Sequence, residues 1–278
     1  MKIKSIFLLS FTILCLFSCT KKESITISGS TTVLPVISNA ADAYKKTHPD
    51  INIIVNAGGS GVGMNQLGEE KTDVGMISRD ITDEEIAKYP NANFNVIAVG
   101  KDAVVAVVSS EIYNAGITAL TISQLASIYK GDIKNWNELG GPDKEILCVD
   151  KEAARGTRHV FMEIVLGDKE AEAAGADLVL GSNNEEQTAI VQSDAAIGML
   201  SNAWLNNDVK GLSIKMNDGT SIEPTIANII NGTYPITRNL EIVTRGEPTG
   251  QLKAFIDYVL GAEGQKFVEE AGYVKINR

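Results

Sequence analysis

This 278-residue chain has few histidines, few cysteines and no excess of positive charge, and each shortage removes a class of function. Its two histidines, His48 and His159, stand far apart and share no zinc-like spacing with the three cysteines. Cys15 and Cys19 fall in an N-terminal leader, so Cys148 alone is left for the folded part and no intrachain disulfide is available there. The segment Glu145-Ile-Leu-Cys-Val149 reads as a strand in which that thiol is buried and structural. A formal net charge of -10 leaves no basic stripe to neutralise a phosphate backbone, so nucleic acid is not an expected partner. Neither an internal repeat nor a low-complexity linker is present. No nucleophile–base spacing or metal cluster appears either, so the chain is read as a non-enzyme without cofactor rather than a secreted hydrolase.

Long apolar runs are also scarce, and the one at the start has the form of a signal. Lys2 and Lys4 give a positive beginning, residues 5–17 are apolar but short for a membrane span, and Ser18 precedes Cys19. Leu16-Phe-Ser-Cys19 resembles a bacterial lipobox. The expectation is a signal peptide over 1–18, lipidation at Cys19, and a polar tether over 19–24. Such a chain would sit outside the cytoplasmic membrane, in a periplasm or at the cell surface, held to the membrane by its lipid.

The remainder alternates between strand and helix patterns, which favours an α/β fold. Strands are expected at 24–28, 51–55, 74–77, 145–149, 195–200 and 237–243. Helices are expected at 34–47, 61–70, 83–88, 123–129, 156–165, 188–192, 250–260 and 264–271. Residues 95–108 form a long Val/Ala/Ile run interrupted by Gly100-Lys-Asp102, as expected of a strand that continues from one lobe into another.

Four turns between these strands and helices carry donors suited to an anion. They are Ser28-Gly-Ser-Thr-Thr-Val33, Gly58-Gly-Ser-Gly-Val-Gly63, Ser78-Arg-Asp80 and Lys151-Glu-Ala-Ala-Arg-Gly-Thr-Arg158. A helix N-terminus offers unpaired N–H groups and a partial positive charge, and hydroxyl side chains add donors at the same place. Each turn taken singly also reads as an ordinary cap or a surface ion pair. The glycine-rich turn lacks the lysine of a P-loop and the spacing of a dinucleotide fingerprint. In α/β sheets, however, ligands gather at the carboxyl ends of strands, which is where all four turns fall.

Longer stretches carry a resemblance. Gly29-Ser-Thr-Thr-Val-Leu-Pro35, Gly59-Ser-Gly-Val-Gly63, Gly75-Met-Ile-Ser-Arg-Asp80 and Asn135-Trp-Asn-Glu-Leu-Gly-Gly141 occur in that order. Arg155-Gly-Thr-Arg158, Ala196-Ile-Gly198, Tyr234-Pro-Ile-Thr-Arg238 and Gly264–Val274 follow. Together they resemble the PstS family, the phosphate-binding lipoproteins of phosphate ABC transporters, over residues 25–276. The resemblance implies a type II periplasmic-binding-protein fold: two lobes with central sheets and a crossing-strand hinge. The first lobe would be 25–106 plus 231–278, and the second 107–230. It implies a monomer that takes inorganic phosphate and hands it to an ABC transporter permease; another tetrahedral oxyanion, molybdate or sulfate, is the alternative ligand.

The phosphate contacts implied are Ser30, Thr31, Thr32, Ser60, Ser78, Arg79, Asp80, Arg155, Gly156 and Thr157. Arg79 would be the main cation with Asp80 orienting it, and Asp80, with Glu152 as second choice, would accept the proton of phosphate. The family usually carries Arg-x-x-Gly-Ser-Gly-Thr-Arg in the second-lobe loop. Here Lys151 replaces the first Arg and Arg155 the Ser, so a rearranged second-lobe contact set is expected.

Overall fold

The computed structural model describes residues 23–276. The signal peptide, Cys19 and most of the tether lie outside the described residues. The chain begins with three parallel strands whose crossovers are helical: β1 (Glu23–Gly29), α1 (Leu34–Thr47), β2 (Ile51–Ala57), α2 (Ser60–Gly68) and β3 (Val74–Ile77). Pro35 in the first turn and the His48-Pro49 break bound α1, so the observed helix coincides with the expected span. Next comes α3 (Asp83–Lys88), whose N-cap Thr82 and third residue Glu85 form a reciprocal capping box.

The expected long strand is a single one, β4 (Phe94–Ser109). Its first part pairs antiparallel with β12 (Thr237–Arg245) and its second, from Val104 on, with β8 (Ala196–Ser201). Ala103 to Val108 are all fully buried, because helices cover both faces of the sheet there. Between these crossings lie α4 (Ser110–Asn114), β5 (Ala119–Leu120), α5 (Ile122–Lys130), β6 (Leu147–Lys151), α6 (Gly156–Leu166), β7 (Leu178–Leu180) and α7 (Asn183–Gln192). After β8 follow β9 (Val209–Gly211), β10 (Ser213–Lys215), β11 (Ser221–Ile222) and α8 (Ile226–Ile230). Beyond β12, α9 (Gly250–Leu260) and α10 (Ala262–Glu270) return to pack on α1. The main sheet runs β2-β1-β3-β12-β4-β8-β6-β7, with β9 added on β4.

One sheet thus serves two large hydrophobic cores, with a small third cluster of Met64, Leu67, Ile77 and Val243. The first gathers residues from Ile25 to Val99 and from Leu240 to Tyr273; the second gathers Ala103 to Ile236. Both crossings between cores occur side by side, at Gly100–Asp102 on β4 and at 237–239 on β12. The apolar pattern breaks there for a reason: Asp102 and Arg238 are direct cross-strand partners.

The second core also encloses charge. Lys151 at the end of β6 pairs with Glu186 of α7, both side chains almost wholly removed from water, and Glu186 also accepts the Met199 N–H at 2.5 Å. Burial pushes the Glu186 carboxyl above its ordinary value, opposed by the Lys151 charge. Breaking such a pair leaves an uncompensated buried ion, at a cost of about 3–5 kcal/mol. Lys151→Met is therefore expected to lower stability by that amount in urea melts, and Lys151→Met/Glu186→Leu to recover most of it. Equal stability of the single variant and wild type would show that the pair contributes nothing.

Candidate functional site

Three helix N-termini converge where the two cores meet. The starts of α1, α2 and α6 carry no side-chain cap, whereas α3, α5, α7 and α8 are capped by Thr82, Thr121, Ser182 and Thr225. The ends of α2 and α6 leave first-turn N–H donors without an intrahelical acceptor, and all three ends carry partial positive charge. At α1 the Ser30 hydroxyl takes the Thr32 and Val33 N–H groups, the Ser30 carbonyl takes the Leu34 N–H, and Pro35 has none. Around them lie Ser30, Thr32, Ser60, Ser78 and Thr157, each at most 3% exposed.

Their hydrogen bonds form one network. The Ser30 hydroxyl donates to Ser78 Oγ at 3.0 Å and accepts the Thr32 N–H at 3.2 Å. Ser60 Oγ accepts the Ser78 N–H at 3.1 Å and lies 3.5 Å from Ser78 Oγ. Gly156, the first residue of α6, closes on this group from the second lobe. A Cβ on it would press on Ser60 Oγ and lie 2.6 Å from Ser78 Oγ, so only glycine permits the approach. The Gly61 N–H donates across the same seam to the Ala154 carbonyl at 3.0 Å.

Arg238 supplies the cation. Its Nε and Nη2 form a bidentate pair with Asp102, at 2.7 and 3.0 Å, and Asp102 is fully buried. Nη1 donates to the Ser78 carbonyl at 3.0 Å and to Thr157 Oγ1 at 3.1 Å. Nη2 also reaches Thr32 Oγ1 at 3.5 Å, and Asn183 Nδ2 donates to the same oxygen at 3.2 Å from α7. A hydroxyl that accepts from Arg or Asn keeps its own proton to donate. Arg238 and Asn183 therefore turn Thr32 and Thr157 into donors, and the cluster as a whole is built to receive an acceptor such as an oxyanion.

Of the residues expected from sequence, Ser30, Thr32, Ser60, Ser78, Gly156 and Thr157 come together, with Thr31 half-buried in the same turn. Three differ. Arg79 is held by Glu85, which accepts from Nη1 at 2.9 Å and Nη2 at 2.7 Å. Glu85 takes this role, rather than Asp80, because the capping box fixes its carboxylate at the start of α3 beside Arg79. Asp80 contributes its backbone carbonyl to Arg79, at 2.8 Å, while its side chain is exposed. Glu152, the second choice for proton acceptor, is also exposed and pairs with Arg155, whose guanidinium stays outside the hydroxyl network. The carboxylate that reaches the cluster is Asp102, at one remove through Arg238.

Arg238, Asp102 and Asn183 join the site without having been expected from the sequence motifs. The available signal was the charged break Gly100-Lys-Asp102 in an apolar strand, together with Arg238 ending a Tyr-Pro motif. Beside the cluster, Arg79, Lys101, His159, Lys169 and Arg238 help line a cleft of about 370 Å3. Burial, and then the Arg79 charge, lower the His159 pKa. Among the described residues no group of His, Cys, Asp and Glu could hold a metal ion, and no helix is long and apolar enough to cross a membrane.

The model of the PBP superfamily domain matches residues 18–263. The phosphate-binding protein PstS of Bacillus subtilis is 34% identical over 256 residues, 91% of this chain and 81% of its own length. The phosphate-binding protein PstS of Borreliella burgdorferi is 32% identical over 98% of this chain and 97% of its own. A phosphate ABC transporter substrate-binding protein from Clostridium perfringens, solved with bound phosphate, superimposes with a TM-score of 0.82 at 32% identity. That match covers 92% of this chain and 100% of the other. Sequence and architecture agree: the chain belongs to the PstS family of phosphate-binding proteins within the PBP superfamily.

Proposed function

We propose that the chain captures inorganic phosphate outside the cytoplasmic membrane and delivers it to the permease of an ABC importer. The observation that carries the ligand is the cluster itself: five buried hydroxyls and three uncapped helix ends around one arginine whose charge Asp102 already balances. A bound dianion is then held by oriented dipoles and hydrogen bonds rather than by a free countercharge. Ser30, Thr31, Thr32, Ser60 and Ser78 would contact it from the first lobe, and Gly156 and Thr157 from the second, with Arg238 behind them. The family name of the relatives supports the same ligand.

In this reading the lobes are 25–106 with 231–278, and 107–230. The packing of Ala103, Tyr234 and Ile236 in the second core supports a hinge close to residues 100–102 and 237–239. The chain would work as a lipid-anchored monomer, tethered through Cys19. Calorimetric titration with phosphate, sulfate and molybdate tests the ligand. The expected result is saturable one-to-one binding of phosphate, with the other two weaker by tenfold or more. Tighter binding of sulfate or molybdate would replace phosphate as the cargo.

A further inference from the structure

The second-lobe loop places one large side chain across the seam between the lobes. Arg155 is the N-cap residue of α6, directly before Gly156, yet its side chain makes no cap. It extends instead over Gly59, the residue before Ser60 on the opposite lobe. Gly59 has φ 91°, a left-handed conformation, and an added Cβ would lie 2.9 Å from Arg155 Cδ and 3.1 Å from Nη1. The side chain thus lies flat on a bare α-carbon, as close as a glycine allows. On its far side a Cβ at Gly181 would lie 3.0 Å from Nη2, so the guanidinium fills a slot between two glycines.

The slot is held from the second lobe. Glu152 Oε2 accepts from Arg155 Nε at 3.0 Å and from Nη2 at 2.5 Å. Only 16% of the Arg155 side chain meets water, although Glu152 is exposed. Next to it, the Gly61 N–H to Ala154 carbonyl bond crosses the same seam. Residues 152–156 therefore grip residues 59–61, and the hydroxyl cluster lies beneath the grip.

We propose that Arg155 is the latch of the closed state: a positioning residue that sets how long the anion stays without touching it. The inference rests on the phosphate reading. Proteins that close two lobes around a ligand release it by reopening about a hinge. Contacts made only between closed lobes therefore slow release, while association to the open form does not sense them. Arg suits this better than Lys, because a planar fork can stack on the glycine backbone and still hold Glu152 through two donors.

Stopped binding and chase experiments with radiolabelled phosphate test the latch on the full chain. Arg155→Ala is expected to release phosphate at least tenfold faster, with association changed less than twofold and the melting temperature of the ligand-free protein unchanged. Arg155→Lys should behave more like Arg155→Ala than like wild type, and Glu152→Gln, which loosens the anchor, should fall between. Wild-type release from Arg155→Ala would overturn the latch. So would slowed association matching any gain in release, since that result would make Arg155 a direct contact of the anion. If wild type itself fails to bind phosphate, the ligand assignment fails instead, and the two failures are distinct.

Discussion

Replacing Arg238 with methionine is expected to weaken phosphate binding strongly and to destabilise the ligand-free protein as well. The guanidinium orients the Thr32 and Thr157 hydroxyls, so its loss leaves their protons free to turn away from the anion. Truncating one member of a buried, hydrogen-bonded charge pair costs about 2–5 kcal/mol of binding, or roughly 30- to 5,000-fold in affinity. Asp102 would then be a fully buried carboxylate without a partner, at a further cost of about 3–5 kcal/mol in stability. The two effects separate in a second variant. Arg238→Met/Asp102→Leu removes the stranded charge and should regain most of the stability in urea melts, yet calorimetry should still show phosphate affinity lowered by roughly 30-fold or more. Wild-type affinity in either variant would place the anion elsewhere.

Gly156→Ala is expected to act in the opposite sense on stability. Alanine at the first position of α6 favours the helix over glycine by up to about 1 kcal/mol. The residue does not need a left-handed backbone, as it is absent from the positive-φ glycines. The added methyl would nevertheless press on Ser60 Oγ and approach the Ser78 carbonyl to 3.0 Å. Overpacking of this kind costs about 1–3 kcal/mol, and here it falls on the closed arrangement in which Gly156 meets Ser60 and Ser78. Ligand-free melting should thus stay level or rise, while affinity drops roughly tenfold to a hundredfold and the phosphate-induced rise in melting temperature shrinks accordingly. An alanine variant that still gains full protection from phosphate would mean that the lobes do not close over these hydroxyls.

The sequence was most readable where local chemistry decides the structure. α1, β3, α3 and α9 have the expected limits, because proline, capping and glycine signals fix their ends. The strands β5, β7, β9, β10 and β11 are two or three residues long, too short for a period-two pattern to register. α7 begins at Asn183 rather than 188; the usable signal was Ser182, which caps the Glu185 N–H. The hydroxyl part of the site was legible for the same reason, since each residue sits in a strand-to-helix turn. The charged part was not. Arg79 meets Glu85 six positions on, through the α3 capping box, whereas whether Arg238 meets Asp102 depends on packing between segments distant in sequence. In the second pair 136 positions separate the partners.

A crystal structure of the chain grown with phosphate tests the central claim most directly. The expected result places the phosphate oxygens within hydrogen-bond distance of the Thr32, Ser60, Ser78 and Thr157 hydroxyls and the first N–H groups of α6, with Arg238 still paired to Asp102. Phosphate found in the cleft between Lys101 and Lys169, with the hydroxyl cluster collapsed on itself, would contradict it.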